Sequence, residues 1–140
     1  MSPLDDLRNR GLIEAVEPDH ATATQWLDDA ARHLEAATKI AELDPTGAYV
    51  LAYDASRKSV ASALLMSGHR VLSRPGSHQA LAQFAKSISI QVDEPALNRF
   101  DRLRRNRNQS EYGSRTFGKA EVTEAIDTAR AIRAACASLS

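Results

Sequence analysis

Gly47 to Gly68, GAYVLAYDASRKSVASALLMSG, is the stretch on which the fold turns. Wound at about 3.6 residues per turn, it makes a single helix of about twenty residues. Thr46 or Asp44 caps its start and Gly68 stops it. Ala48, Ala52, Ala55, Ser56, Ser59, Ser62 and Ala63 leave room for other helices to approach closely. The helix is therefore predicted to be central, packed on more than one side or against a partner chain, with packing inside the chain the favoured reading. It also carries a polar group, Tyr49, Tyr53, Asp54, Arg57 and Lys58. The favoured reading of that group is a solvated face closed by an Asp54 to Lys58 ion pair.

Upstream, a helix is predicted from near Thr22, with Trp26, Ala30, His33 or Leu34, Ala37 and Ile40 or Ala41 on one face, ending at Asp44-Pro45. Residues 1 to 20 read as a polar, irregular arm punctuated by Gly11 and Pro18 and anchored by Leu12, Ile13 and Val16. Downstream, Ser77 follows the Arg74-Pro75-Gly76 turn and caps a third, shorter helix that turns Leu81, Phe84, Ala85 and Ile88 inward. Val92 to Pro95 links this to a fourth helix, which Gly113 ends. Past a turn at Gly113 to Gly118, a fifth shows Val122, Ala125 or Ile126, Ala129, Ile132, Cys136 and Leu139 at helical spacing.

With 140 residues, 43% hydrophobic content and 5% aromatic content, the chain fills one domain over residues 1 to 140. Short loops imply antiparallel neighbours. The expected architecture is all-α, an up-and-down four-helix bundle with an additional short helix.

Composition also narrows the chemistry. A single cysteine, Cys136, rules out an internal disulfide or thiolate metal site. No His and carboxylate spacing fits a metal, and no Gly-rich phosphate loop, dinucleotide fingerprint or nucleophile elbow is present, so neither metal nor cofactor is expected. No apolar run is long enough for a secretion signal or membrane span, which makes the cytoplasm the expected location and excludes a membrane partner. The four histidines, His20, His33, His69 and His78, read as capping, solvation or packing groups.

The fourth helix carries the chemistry. Leu97 to Arg115, LNRFDRLRRNRNQSEYGSR, sets six arginines against Asp101 and Glu111, a local net charge of +4 in a chain whose 18 basic and 18 acidic residues balance as a whole. Guanidinium groups suit bidentate contacts with phosphate or carboxylate. Leu97, Phe100 and Leu103 form an apolar stripe that runs into Arg107 and Glu111, a pair at the spacing of an intrahelical salt bridge.

The order of these pieces resembles small bacterial members of the HEPN superfamily. The carriers are LIEAVEPD, WLDDAARHLEAA, GAYVLAYDASRKSVASALLMSGHRV, GSHQALAQF and RFDRLRRNRNQSEYG followed by an alanine-rich helix. The resemblance implies a bundle that pairs as a homodimer around the arginine helix, and a role in toxin–antitoxin or defence systems alongside a nucleotidyltransferase partner. It further implies that Tyr53 and Arg57 pack beside Arg107 to complete a polar groove.

Many such proteins are metal-independent endoribonucleases whose motif is an arginine and a polar residue, then a histidine. Here Arg107-Asn108 matches the first half, while Tyr112, preceded by Glu111, stands in the histidine's place. A tyrosine with a pKa of about 10 is a poor base where an imidazole of about 6.5 would act. The departure favours binding of RNA or nucleotide through Arg102, Arg104 and Arg105, with Tyr53 and Arg57, over cleavage by Arg107, Asn108, Glu111 and Tyr112. Tyr112 is also a candidate acceptor for the transferase. Arg105, seven residues before Tyr112, shares its helical face, whereas Arg107 lies about 140° away on an ideal helix. Arg107 is preferred as the motif arginine on its Glu111-Tyr112-Gly113 context, with the helix end near Gly113 expected to bend that geometry.

Overall fold

A computed structural model of the chain describes residues 2–139; Met1 of the expected arm and Ser140 at the end of the expected domain lie outside the described residues. The fold is all-α, with helices α1 (Pro3–Asn9), α2 (His20–Ile40), α3 (Pro45–Met66), α4 (Ser77–Gln91), α5 (Phe100–Tyr112) and α6 (Lys119–Ala137). A 3-10 turn over Pro95–Arg99 leads directly into α5. The one sheet among the described residues is a ladder of β1 (Ile13–Ala15) and β2 (His69–Val71).

α3 is the hub, packing against α2 and α6 and also touching α4 and α5. Its small residues make this possible. Ala48, Ala52 and Ala55 are fully buried, and Ser56 and Ser59 turn their hydroxyls back onto their own helix, donating to Ala52 O at 3.0 Å and Ala55 O at 2.8 Å. Ser62 instead donates across to Ala23 O of α2 at 2.9 Å, tying the two backbones at close range. Asp44 caps α3, accepting the Gly47 amide at 2.9 Å, with Pro45 in the first turn where its missing N–H costs nothing. Gly68 stops the helix at φ +83, and a Cβ there would also press on Val16 O at 3.2 Å.

On α2 the core face is Ala23, Leu27, Ala30, Leu34 and Ala37, so Leu34 faces the core while His33 and Trp26 lie at its edge. Leu81, Phe84, Ala85 and Ile88 of α4 are buried as expected, as are Val122, Ala125, Ile126, Ala129, Ile132 and Cys136 of α6. Burial pushes the Cys136 thiol up to about 12, which makes it an inert core residue.

Three local expectations are corrected. The first twenty residues are not an irregular arm. Ser2 and Asp5 form a capping box that starts α1, and β1 pairs antiparallel with β2 in the register Ile13↔Val71, Glu14↔Arg70 and Ala15↔His69. Leu7, Leu12 and Ile13 seal this unit onto the core, while Val16 is only half-buried. α2 begins at His20, two residues before the expected start near Thr22, because the Asp19 carboxylate accepts the Thr22 amide at 3.0 Å and caps the helix there. Ser77 does not cap α4; Gly76 takes that position at φ +91, and the Ser77 hydroxyl ties the preceding turn by accepting the Arg74 amide at 3.0 Å.

Candidate functional site

The stripe on α5 decides where its arginines go. Phe100 and Leu103 are buried, and one turn further on Arg107 follows the same face inward, with its side chain 25% exposed. Its guanidinium lies 5.7 Å from the centre of the Tyr53 ring, and that buried ring stacks on Phe100 at 5.8 Å. Nη1 of Arg107 pairs with Glu111 Oε2 at 3.0 Å and reaches Asn108 Oδ1 at 3.4 Å. Nε is buried with no hydrogen-bond acceptor, a deficit worth about 1–3 kcal/mol. Arg107 is thus held between an aromatic face and a carboxylate with one donor left over.

Around Tyr53 the positive charges gather from two helices, α3 and α5. Burial raises its hydroxyl above the ordinary tyrosine range, and the nearby charges of Arg57, Arg107 and Arg104 oppose that rise. Arg57 pairs with Asp54 at 3.7 Å. The expected Asp54 to Lys58 pair does not form, because Lys58 turns toward α2, meeting His33 Nε2 at 2.8 Å and Asp29 at 4.0 Å. Arg104, 16% exposed, binds Asp101 at 2.8 Å, and the exposed Arg105 shares that carboxylate at 3.3 Å.

His78, on the first turn of α4, faces this group. Burial first, then the charges of Arg104, Arg57 and Arg107, hold its imidazole below the usual histidine range. Sequence reasoning missed it, since His78 is remote from α5 along the chain and nothing in its neighbours marks it.

Tyr112 stands elsewhere. α5 stays helical through Tyr112, and the expected bend before Gly113 is absent, so Tyr112 remains about 140° around the helix from Arg107 and is 84% exposed. Gly113 is needed for closeness, not for a left-handed turn: a Cβ there would lie 2.8 Å from Gln109 O. The following loop folds back through Phe117, which stacks on Tyr49 at 3.9 Å, while Arg115 lies 5.0 Å from the Phe117 ring. Arg115 then donates to Asn106 at 3.1 Å, and Asn106 donates to the Tyr49 hydroxyl at 2.9 Å.

The charge excess on α5 is partly offset in space. Arg102 pairs with Glu124 at 2.7 Å and Arg115 with Glu121 at 2.6 Å, both on α6. These arginines line a cavity of about 350 Å³ between α5 and α6, on a different side of α5 from Tyr53. Adding the two glutamates to Asp101 and Glu111 leaves six arginines against four carboxylates, a net +2. The binding candidates therefore divide, with Arg104, Tyr53 and Arg57 beside Arg107 on the α3 side, Arg105 exposed on the shared Asp101, and Arg102 on the α6 side.

The HEPN domain model matches residues 23–139, across the bundle and the whole of this site. The chain belongs to the HEPN family. No curated protein and no solved structure matches it. HEPN domains commonly dimerise, and membership supports an RNA- or nucleotide-related role of toxin or defence type. Among the described residues no helix is long and apolar enough to cross a membrane, and no group of His, Cys, Asp and Glu is placed to hold a metal ion.

The depressed imidazoles have a consequence for the HEPN bundle as a whole. Burial and Lys58 hold His33 low, as burial and the arginines hold His78. A histidine lowered in the folded state binds its proton more readily when unfolded, so its contribution to stability is present above about pH 6.5 and is lost as pH falls through the folded value. The melting temperature should therefore hold above neutrality and fall below about pH 6.5. Titration of both imidazoles by NMR checks it; midpoints at or above the free-histidine value would refute the assignment.

Proposed function

We propose that this HEPN protein acts in a toxin–antitoxin or defence system as a homodimer, working with a nucleotidyltransferase partner and binding RNA or nucleotide through α5. The observation that carries this reading is the convergence of Arg104, Arg107 and Arg57 around Tyr53, with an unmatched buried donor on Arg107. Guanidinium groups gathered on an aromatic platform form a phosphate-contacting surface. The placement of Tyr112 away from Arg107 favours binding over cleavage, and its exposure leaves the hydroxyl accessible to a transferase.

The second reading is an active, metal-independent endoribonuclease using Arg107 and Tyr112. One observation favours cleavage: His78 puts a neutral imidazole, able to accept a proton, beside the arginines. Expression of wild type and Arg107→Ala in a bacterial host, scoring growth and total RNA integrity, separates the two. Normal growth and intact RNA from a folded protein that retains RNA on a filter is the expected result. Growth arrest with RNA cleavage that Arg107→Ala relieves would establish the nuclease.

A further inference from the structure

Between α2, α3, β2 and the start of α4 lies a cavity of about 650 Å³, within the range of small-molecule sites. Its wall is apolar, built from Trp26 of α2, Leu64 of α3, Val71 and Leu72 beside the ladder, and Leu81 of α4. Its rim is cationic, with Arg57, Arg70 and Arg74, His78 adds an imidazole, and no carboxylate lines it. Arg57 and Arg70 are already paired, with Asp54 and Glu14. Among the described residues the Arg74 guanidinium has no ion-pair partner and the His78 ring no hydrogen bond. His69 also lines the space, but its ring is engaged by Arg8 at 3.0 Å and by Ser67 O at 3.1 Å, which makes it structural.

A bare phosphate would leave the aromatic and aliphatic wall unused. A purely apolar ligand would leave the Arg74 charge and the His78 ring unmatched. A flat heteroaromatic body carrying phosphate satisfies both, since an indole offers a face to any base and guanidinium groups grip phosphate oxygens. We propose that this cavity binds a nucleoside phosphate, with the base against Trp26 and the phosphate on Arg74, His78 and Arg57. The ligand class rests on the proposed function, and Arg57 and His78 make the cavity continuous with the Tyr53 site.

Trp26 is the chain's one tryptophan and lines this cavity, so its fluorescence reports on it. Adenosine monophosphate titrated into the full chain should change Trp26 emission saturably, with adenosine or inorganic phosphate alone far weaker. Arg74→Ala should raise the apparent Kd about tenfold or more, the loss of one charge-assisted contact. Arg74 and His78 are exposed at the rim, so unchanged far-ultraviolet circular dichroism is expected for Arg74→Ala and His78→Ala.

A 5′-phosphorylated oligoribonucleotide tested beside the mononucleotide tells the source: a response to both supports a free nucleotide, and a response to the oligomer alone supports an RNA end. A Trp26 signal that stays silent to both at millimolar concentration overturns the proposal, as does one unaltered by Arg74→Ala and by His78→Ala. RNA retention on a filter with Trp26 silent sinks the cavity and leaves the α5 reading standing. A Trp26 response to the mononucleotide that survives Arg107→Ala, while RNA retention is lost, supports the cavity as a site of its own.

Discussion

Phe100→Ala is expected to cost about 3–5 kcal/mol of folding stability, the range for truncating a buried aromatic. Phe100 is fully buried, 0% exposed, and fills the joint between α5 and α3 beneath Tyr53. Removing the ring loses its transfer free energy and leaves a gap among helices already anchored elsewhere, so collapse can recover only part of the loss. Against a typical domain stability of about 5–15 kcal/mol, the variant should remain folded with a much-reduced margin. Urea denaturation checks this: the midpoint should fall with the slope unchanged. The substitution also removes the stack under Tyr53, and with it the platform that holds Arg107, so RNA retention should fall even where the protein is folded. A loss below about 1 kcal/mol would show that α5 settles into the gap and that Tyr53 does not depend on Phe100.

The same joint shows which parts of the molecule could be read from residues alone. Helix periodicity in α3, α4 and α6 is dense enough that the buried positions follow directly, and Asp44 and Gly68 mark their helix ends by local chemistry. The N-terminal unit resisted because its stability is not local. A three-residue strand has no signature of its own, and Ile13 becomes a strand residue only when Val71 arrives as its partner.

The site divides in the same way. The Arg107 and Glu111 pair, set by spacing on one helix, was expected and is present. The Arg102 pair with Glu124 and the Arg115 pair with Glu121 were not, since they depend on how α6 lies against α5, and they halve the charge excess that the stretch shows when read alone. His78 is the sharpest case. A lone histidine at the start of a helix carries no signal, and only the packing of α4 beside α3 and α5 brings it under the influence of Arg104, Arg57 and Arg107.

Replacing Arg104 and Arg105 together by glutamate should weaken RNA binding about a hundredfold or more at low salt, two charge-assisted phosphate contacts being lost and two repulsions gained. The salt dependence should flatten by about 1.4 in the slope of log affinity against log salt, the value for two contacts to single-stranded RNA. The two arginines share Asp101, and the Arg105 pair is exposed enough to be given up to a phosphate at little cost. Both new glutamates lie beside Asp101, a repulsion that the nearby charges of Arg57 and Arg107 offset only in part, so circular dichroism of the double variant, expected to remain helical, is read before its affinity. Arg102→Glu is the contrasting variant. Arg102 faces α6 and is paired with Glu124, both side chains more than half exposed, so its reversal loses only a surface pair and should leave folding and RNA affinity little changed. A double variant that binds within threefold of wild type, with its salt slope unaltered while Arg102→Glu loses binding, would move the RNA surface to the α5–α6 cavity and leave the Tyr53 side to another ligand.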